Sequence, residues 1–486
     1  MSINVTIKQS IRNFSTFSLL DPSPESAFNL LLEAEKTTGS ATAATLALTD
    51  SDYAGYTVSV TGSDLTYDSA GRIEGGNIAG MVFQDAGGKT VGSIAADGAS
   101  GLDLAVQEVA NVSRNPEGLN TLLANWVVEF DATAVPSTDD WLGGGVEFEA
   151  GAGADSLVGS KFNDFLYGGA GNDMIDGGDG NDLLVGDETP RLMTDSPGGK
   201  DVLKGGEGDD ELRGNGGNDL LYGGNGGDIL RGDDLGEKGN DKLYGQAGSD
   251  TLSGGEGNDR LDGGKDQDRV QIQDMQTGDQ IFRIDLKKQI AMGQGTDKLV
   301  SIEHATGGAW HDNIIIGSNG INSLLGGNRN DTLNGLGGSD RIYGGDGNDR
   351  IVGGAANDLI AGSEGKDVLT GNAGKDVFVF SEVGSDHADR ISDFSSKDDT
   401  IYLNNKAAYG LYVPGTLAEG AFKVLGSSAL DDDDRVLYDK KSGSVYFDRD
   451  GDGSSERELI FTVKRDLKLT ADDFEIRPDI TIYSFF

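Results

Sequence analysis

Through the middle of this 486-residue chain an aspartate returns every nine residues, and two places after each stands a large apolar residue. The series runs Asp155, Asp164, Asp173 and Asp182, then Asp201, Asp210, Asp219 and Asp228. A four-residue insertion, DLGE (234–237), shifts the phase, and it resumes at Asp241, Asp250, Asp259 and Asp268. A third array reads Asp312, then Asn322 after a one-residue insertion, then Asp331, Asp340, Asp349, Asp358, Asp367 and Asp376. The apolar partners run from Leu157 to Val270 and from Ile314 to Phe378, and the turns between are glycine-rich, as in GGAGND (168–173) and GGDGND (344–349). One inward side chain per nine residues means a very short strand followed by a turn whose glycines supply positive φ. Two such halves make one coil, so the pattern predicts an all-β dominated chain built on a right-handed parallel β-roll, a β-solenoid with a ladder of Leu and Ile inside. A flexible glycine-rich linker carries no apolar residue at strict phase.

The carboxylates need a counterpart. Side chains 18 residues apart fall on the same edge of the roll, about 4.8 Å from each other. Unpaired, these rows of like charge would repel, and with 77 glycines and 36% hydrophobic residues the chain has little ordinary core to oppose them. A hard cation taking about six or more oxygens fits between coils, using Asp carboxylates and the carbonyls that glycine exposes, and calcium suits that geometry better than magnesium. Pairing each Asp with its neighbour one coil on predicts on the order of ten ions.

The formal charge of −43 argues against nucleic acid and against an anionic membrane as partners. Without cysteine there is no disulfide and no thiolate chemistry. No apolar run of about 18 residues is present, so no membrane-spanning helix is expected. The opening MSINVTIKQSIRNFSTFSLL lacks the basic-then-apolar pattern of a cleavable secretory signal. Export, if it occurs, is expected to read another part of the chain.

The repeats GGAGND (168–173), GGDGND (177–182), GGEGND (254–259) and GGDGND (344–349) resemble the GGxGxDxUx nonapeptides of RTX proteins, the hemolysin-type calcium-binding repeats. GKDQD ending at Asp268, GSNGIN ending at Asn322 and GSEGKD ending at Asp367 depart from that pattern. Between the second and third arrays lies the segment 270–317, expected to continue the solenoid without calcium, and the stretch 284–327 resembles the spacer found between RTX arrays. From Gly374 onward the chain resembles the C-terminal part of serralysin-like RTX proteins. That resemblance implies a β-rich cap carrying an uncleaved signal for a type I secretion channel, hence an extracellular or cell-surface location, and the apolar tail IYSFF (482–486) is compatible with it. Inside this module Asp448, Asp450, Asp452 and Gly453 match the first half of an EF-hand loop, although position twelve is Leu459 and Glu458 comes one place early.

The expected organisation is an N-terminal α/β cap or functional domain (1–150), two repeat arrays (151–269), a spacer (270–311), a third array (312–380) and the C-terminal module (381–486). In the first of these, PESAFNLLLEAEK (24–36) and LDLAVQEVANV (102–112) read as helices, with YTVSVTG, LTYDSAGRIEGG and GMVFQDAGG as strands. The sequence carries no HExxH, no GxSxG and no histidine before His304, which removes the zinc-protease, lipase and most triad chemistries. His304 and His311 read as surface or turn residues, and Trp126, Trp141 and Trp310 as buried end-cap residues. The reading is a calcium-folded, non-enzymatic surface, matrix, adhesion or self-assembling protein, with itself or a surface glycan as partner. The alternative is a secreted polysaccharide-active enzyme using carboxylates such as Glu129, Glu147 and Glu149 in the N-terminal domain.

Overall fold

A computed structural model describes residues 2–6, 35–40, 43–47, 57–67, 73–84, 90–96, 104–105, 127–131, 147–150, 154–187, 198–234, 237–273, 280–381, 383–404, 414–427, 429–453 and 456–477. Among these residues there are strands and two short 3-10 turns but no α-helix. The chain divides into two compact units, Met1–Asp266 and Gln267–Phe486.

In the first unit an antiparallel meander, Glu35–Ser40, Ala43–Ala47, Thr57–Tyr67, Ile73–Gln84 and Thr90–Ala96, precedes the roll. Ser2–Thr6 pairs antiparallel with its last strand and parallel with Val127–Asp131. The three segments read as strands lie in strands wherever they are described, at 57–62, at 65–67 and 73–76, and at 80–84. The two expected helices differ from expectation wherever they are described: Glu35 and Lys36 lie in a strand, and Leu104–Ala105 pairs antiparallel with Asn77 and Ile78, while the rest of both segments falls outside the described residues. Cross-strand pairing overrides a weak helical periodicity here.

The roll begins where Val127–Asp131 pairs parallel with Ser156–Val158. From there alternate nonapeptides enter two parallel sheets. One stacks Leu157, Ile175, Leu203, Leu221, Leu243 and Leu261 in register, and the other Leu166, Leu184, Leu212, Leu230 and Leu252. All of these side chains are buried. A short strand with one inward residue burns little chain per coil, so the turn must reverse within a few residues. Gly178 (φ 107°) and Gly180 (φ 121°) do this in conformations that an L side chain resists.

The second unit repeats the plan. Ile315, Leu333, Ile351, Leu369 and Ile391 stack in one sheet, and Val270, Ala305, Leu324, Ile342, Ile360, Phe378, Ile401 and Phe474 in the other. The spacer continues the solenoid: Arg269–Gln271 pairs parallel with His304–Thr306, Phe282–Asp285 pairs parallel with Asn313–Ile316, and antiparallel strands at 290–300 project between them. His311 lies at the bend after the 309–310 turn, as one of its two readings had it, but is buried against the Phe282 ring at 4.6 Å rather than on the surface, and Trp310 beside it is 56% exposed rather than buried. Trp126 and Trp141 lie outside the described residues.

After the last repeat the stack continues through Thr400–Asn404 and Phe474–Arg477, closed by antiparallel strands at 436–447 and 458–462. Here phenylalanines replace the leucine ladder: the rings of Phe380 and Phe461 stack at 4.5 Å, and Phe474 lies against both Phe461 and Phe422. The tail from residue 478 lies outside the described residues.

Candidate metal centre

The repeat aspartates form two rows along the turns, each side chain facing the backbone of the preceding coil. The main-chain N–H of Asp155 donates to Asp173 Oδ1 at 2.7 Å, Asp164 to Asp182 at 2.8 Å, Asp173 to Asp201 at 2.7 Å and Asp182 to Asp210 at 2.8 Å. The same bond links Asp201 to Asp219, Asp210 to Asp228, Asp219 to Asp241, Asp228 to Asp250 and Asp241 to Asp259. In the second unit it links Asp331 to Asp349, Asp340 to Asp358, Asp349 to Asp367 and Asp358 to Asp376. Each carboxylate therefore clamps two coils through one oxygen.

Along most of the two rows the other oxygen has no hydrogen-bond partner. Oδ2 of Asp173, Asp182, Asp201, Asp210, Asp219, Asp228, Asp241, Asp331, Asp340, Asp349, Asp358, Asp367 and Asp376 is buried without a hydrogen-bond partner. An unsatisfied buried carboxylate oxygen is expensive, more so than a neutral group. Each of these oxygens sits over a glycine, five residues earlier except at Asp201 (over Gly186) and Asp241 (over Gly232), and in most cases a carbonyl oxygen of the next coil lies beside it. A Cβ on Gly344 would fall on Asp349 Oδ2 and 2.8 Å from the Gly362 carbonyl oxygen; one on Gly205 would fall on Asp210 Oδ2 and 2.6 Å from that of Gly223. The missing side chain keeps open a cradle lined by carboxylate and carbonyl oxygens, the donor set a hard divalent cation prefers. Among the described residues no three Asp, Glu or His side chains converge as a ready-made metal site, so main-chain oxygens must complete any coordination sphere.

The electrostatics agree. Burial lifts the carboxyls of Asp173, Asp182, Asp201, Asp340 and Asp349 from 3.8 to about 8, and that of Asp219 to about 9. Row neighbours add to it, as Asp331 and Asp367 do for Asp349. Such a group at neutral pH takes up either a proton or a cation.

Asp155 and Asp164 open the two rows and Asp250 and Asp259 extend them in the first unit; Asp268, also buried, donates its N–H to Glu303. Asp312 is a correction. It is half-buried and accepts the Asn330 N–H, whereas Asn313 fills the row position, donating its N–H to Asp331 Oδ1 at 2.6 Å, and Ile315 rather than Ile314 enters the core. No one-residue insertion follows, because Asn313 and Asn322 are nine apart. Asn313 also shows what the cradle wants: its side-chain amide donates to the carbonyl oxygens of Gly308 and Gly326 and to Asp331. An N–H there stands in for a positive ion.

In the C-terminal loop Asp448 is fully buried, its Oδ1 accepts the Gly451 N–H at 3.2 Å, and its Oδ2 lacks a partner. Asp450 is half-buried, Asp452 is exposed, and Glu458 pairs with Arg449 at 3.2 Å instead of reaching the loop. His304 is held neutral, its ring pushed down to about 4 by burial, and its Nδ1 accepts the Ser323 N–H. Two features went unread in the sequence. The rows continue past the repeats to Asp389 and Asp399, at spacings of 22 and 23. The residue before each repeat Asp builds an exposed ladder, in which Asn163 accepts from Asn181, Asn181 from Asp209 and Asn330 from Asn348.

A parallel β-roll whose turns present rows of carboxylate and carbonyl oxygens between coils is a scaffold for divalent cations. The family model described as "RTX calcium-binding nonapeptide repeat (4 copies)" matches residues 149–184, 198–230, 235–270, 308–342, 316–351, 325–360 and 352–381. These stretches of the chain carry calcium-binding nonapeptide repeats of the RTX type. No curated protein matches it. Among solved structures, the chain is similar to the extracellular lipase LipA from Serratia marcescens at 14% identity over 92% of this chain and 84% of that one, with a TM-score of 0.18.

Proposed function

We propose that this protein leaves the cell unfolded through a type I channel, directed by its C-terminal module, and folds outside on calcium. It then serves as a non-enzymatic surface or matrix component whose stacked coils the ions stiffen. The ligands are the repeat aspartates, each contributing Oδ2 to an ion shared with glycine carbonyls of the adjoining coil, with Asp448 holding a separate ion in the C-terminal loop. On the order of ten ions fill the rows. The observation that carries the reading is the run of buried Oδ2 atoms without partners, each over a glycine that leaves it room.

Bound calcium supplies the positive charge that lets these carboxylates stay ionised in the dry turns. In the cytosol, where the ion is scarce, the same rows keep the chain open and fit for passage through a channel. Circular dichroism during calcium titration tests this: strand signal should rise cooperatively at roughly 10⁻⁴ to 10⁻³ M. A spectrum unchanged by chelator would end the proposal. Export tests the other half, since loss of the C-terminal module should leave the protein inside the cell.

A further inference from the structure

The glycine after each cradle glycine, Gly169 in the first coil and Gly255 in the last of this edge, is replaced in the three coils between them. Those rungs carry Asp187, Asn215 and Asp233. The strand register aligns them: Val185 pairs with Arg213 and Arg213 with Arg231, so residues two further on fall one above another. Position 215 keeps a left-handed backbone (φ 65°), which Asn accepts almost as readily as Gly.

None of the three belongs to the nonapeptide aspartate row, and all are buried, Asp233 to 0% exposure, Asn215 to 1% and Asp187 to 3%. Asp187 Oδ2 accepts the Gly199 N–H at 2.8 Å and the Asn215 amide donates to the Asp187 carbonyl at 2.9 Å. Beyond those bonds, Asp187 Oδ1, Asn215 Oδ1 and both carboxylate oxygens of Asp233 are buried without hydrogen-bond partners. Four acceptors face one strip of the interior, with the main-chain N–H groups of Gly171 and Gly239 near Asp187 and Asp233. Burial first, then the repeat aspartates (Asp173 for Asp187, Asp241 and Asp259 for Asp233), raise these carboxyls, and Glu237 from the DLGE insertion adds to both, so it lies within electrostatic reach of each.

We infer that Asp187, Asn215 and Asp233 hold a calcium ion outside the repeat rows, with Glu237 as a flanking carboxylate. The spacing permits it. Two rungs span about 9.6 Å, so an ion level with Asn215 lies about 4.8 Å from the planes of the outer two, within reach of a carboxylate on either side. The amide oxygen in the middle rung adds a ligand without adding charge. Purely repulsive neighbours would give no reason to replace glycine with acidic residues in the two coils where the turn is lengthened.

This inference rests on the calcium reading of the repeats for the identity of the ion, and the test separates the two. Native mass spectrometry of the calcium-loaded full-length protein counts bound ions, and anomalous scattering from its crystals locates them. Wild type should show a peak among Asp187, Asn215 and Asp233. The double variant Asp187→Asn/Asp233→Asn, which keeps side-chain size, should lose that peak and one bound ion while peaks between the repeat aspartates persist. Asp233→Gly, restoring the residue found on the outer rungs, should lose the same ion. Filled repeat positions with no density at this strip, or an unchanged ion count in both variants, would overturn the inference. A wild-type protein binding no calcium at all would instead refute the reading of the repeats.

Discussion

Asp349→Asn should move the stability of this protein in opposite directions with and without calcium. In wild type the Asp349 carboxyl is pushed from 3.8 to about 8, first by burial and then by Asp331 and Asp367. Holding it in the metal-free roll at pH 7 therefore costs about 4 kcal/mol. Asparagine removes that charge, and its N–H can donate to the carbonyls of Gly344 and Gly362 as Asn313 does to those of Gly308 and Gly326. The metal-free fold should gain up to about 4 kcal/mol, less whatever burial wild type escapes by staying unfolded. With calcium the sign reverses. A site occupied at 100 times its dissociation constant contributes about 2.7 kcal/mol, and losing one or two ions removes that or twice that. Urea unfolding followed by circular dichroism at saturating calcium should show the loss. In chelator, the pH at which strand signal is half gone should rise for the variant, and native mass spectrometry should find one or two fewer ions. Curves displaced in the same direction under both conditions, with an unchanged ion count, would refute the reasoning.

The metal-free roll should be pH-dependent: its carboxyls titrate in the folded state at about 6 to about 9 against 3.8, so the folded form binds more protons, and stability present below 3.8 is lost as pH rises through that window. Strand signal in chelator should thus grow between pH 9 and pH 6, and calcium binding in a pH-stat should release protons. Gly344→Ala puts a Cβ onto Asp349 Oδ2 and should raise the calcium midpoint of folding and remove an ion, with a loss of about 2.7 kcal/mol at 100-fold ligand excess. Asn313→Asp should do the reverse of Asp349→Asn, adding an ion to the calcium-loaded protein and lowering strand content in chelator.

The roll was legible because a two-part signal, carboxylate and core residue, repeats at fixed phase; chance and flexible sequence do not imitate it. The misplacement of Asp312 shows the limit of that signal. Both Asp312 and Asn313 have an isoleucine two residues on, so apolar spacing could not choose between them. The cradle glycine could: only from Asn313 does a glycine, Gly317, stand four residues later, as Gly159 follows Asp155 and Gly168 follows Asp164. Asp187 and Asp233 stayed hidden because nothing in their spacing marks them; their significance lies in the glycine they replace and in a burial visible only once coils are stacked. The N-terminal strands were read where alternation was clear, and the two-residue strand Leu104–Ala105 was not, since its partners Ile78 and Asn77 lie in a strand far back along the chain.

The clasp between coils runs one way. Within the two rows each aspartate amide is satisfied by the carboxylate of the coil that follows it, as from Asp331 to Asp349 to Asp367, while the exposed ladder beside them runs the other way, as from Asn330 back to Asp312. Cutting such a stack bares aspartate N–H groups on one severed face and aspartate carboxylate oxygens on the other. Two cut faces can mate head to tail and cannot mate like to like, so length could be edited by whole turns of sequence, as a zip is lengthened by teeth, without a seam.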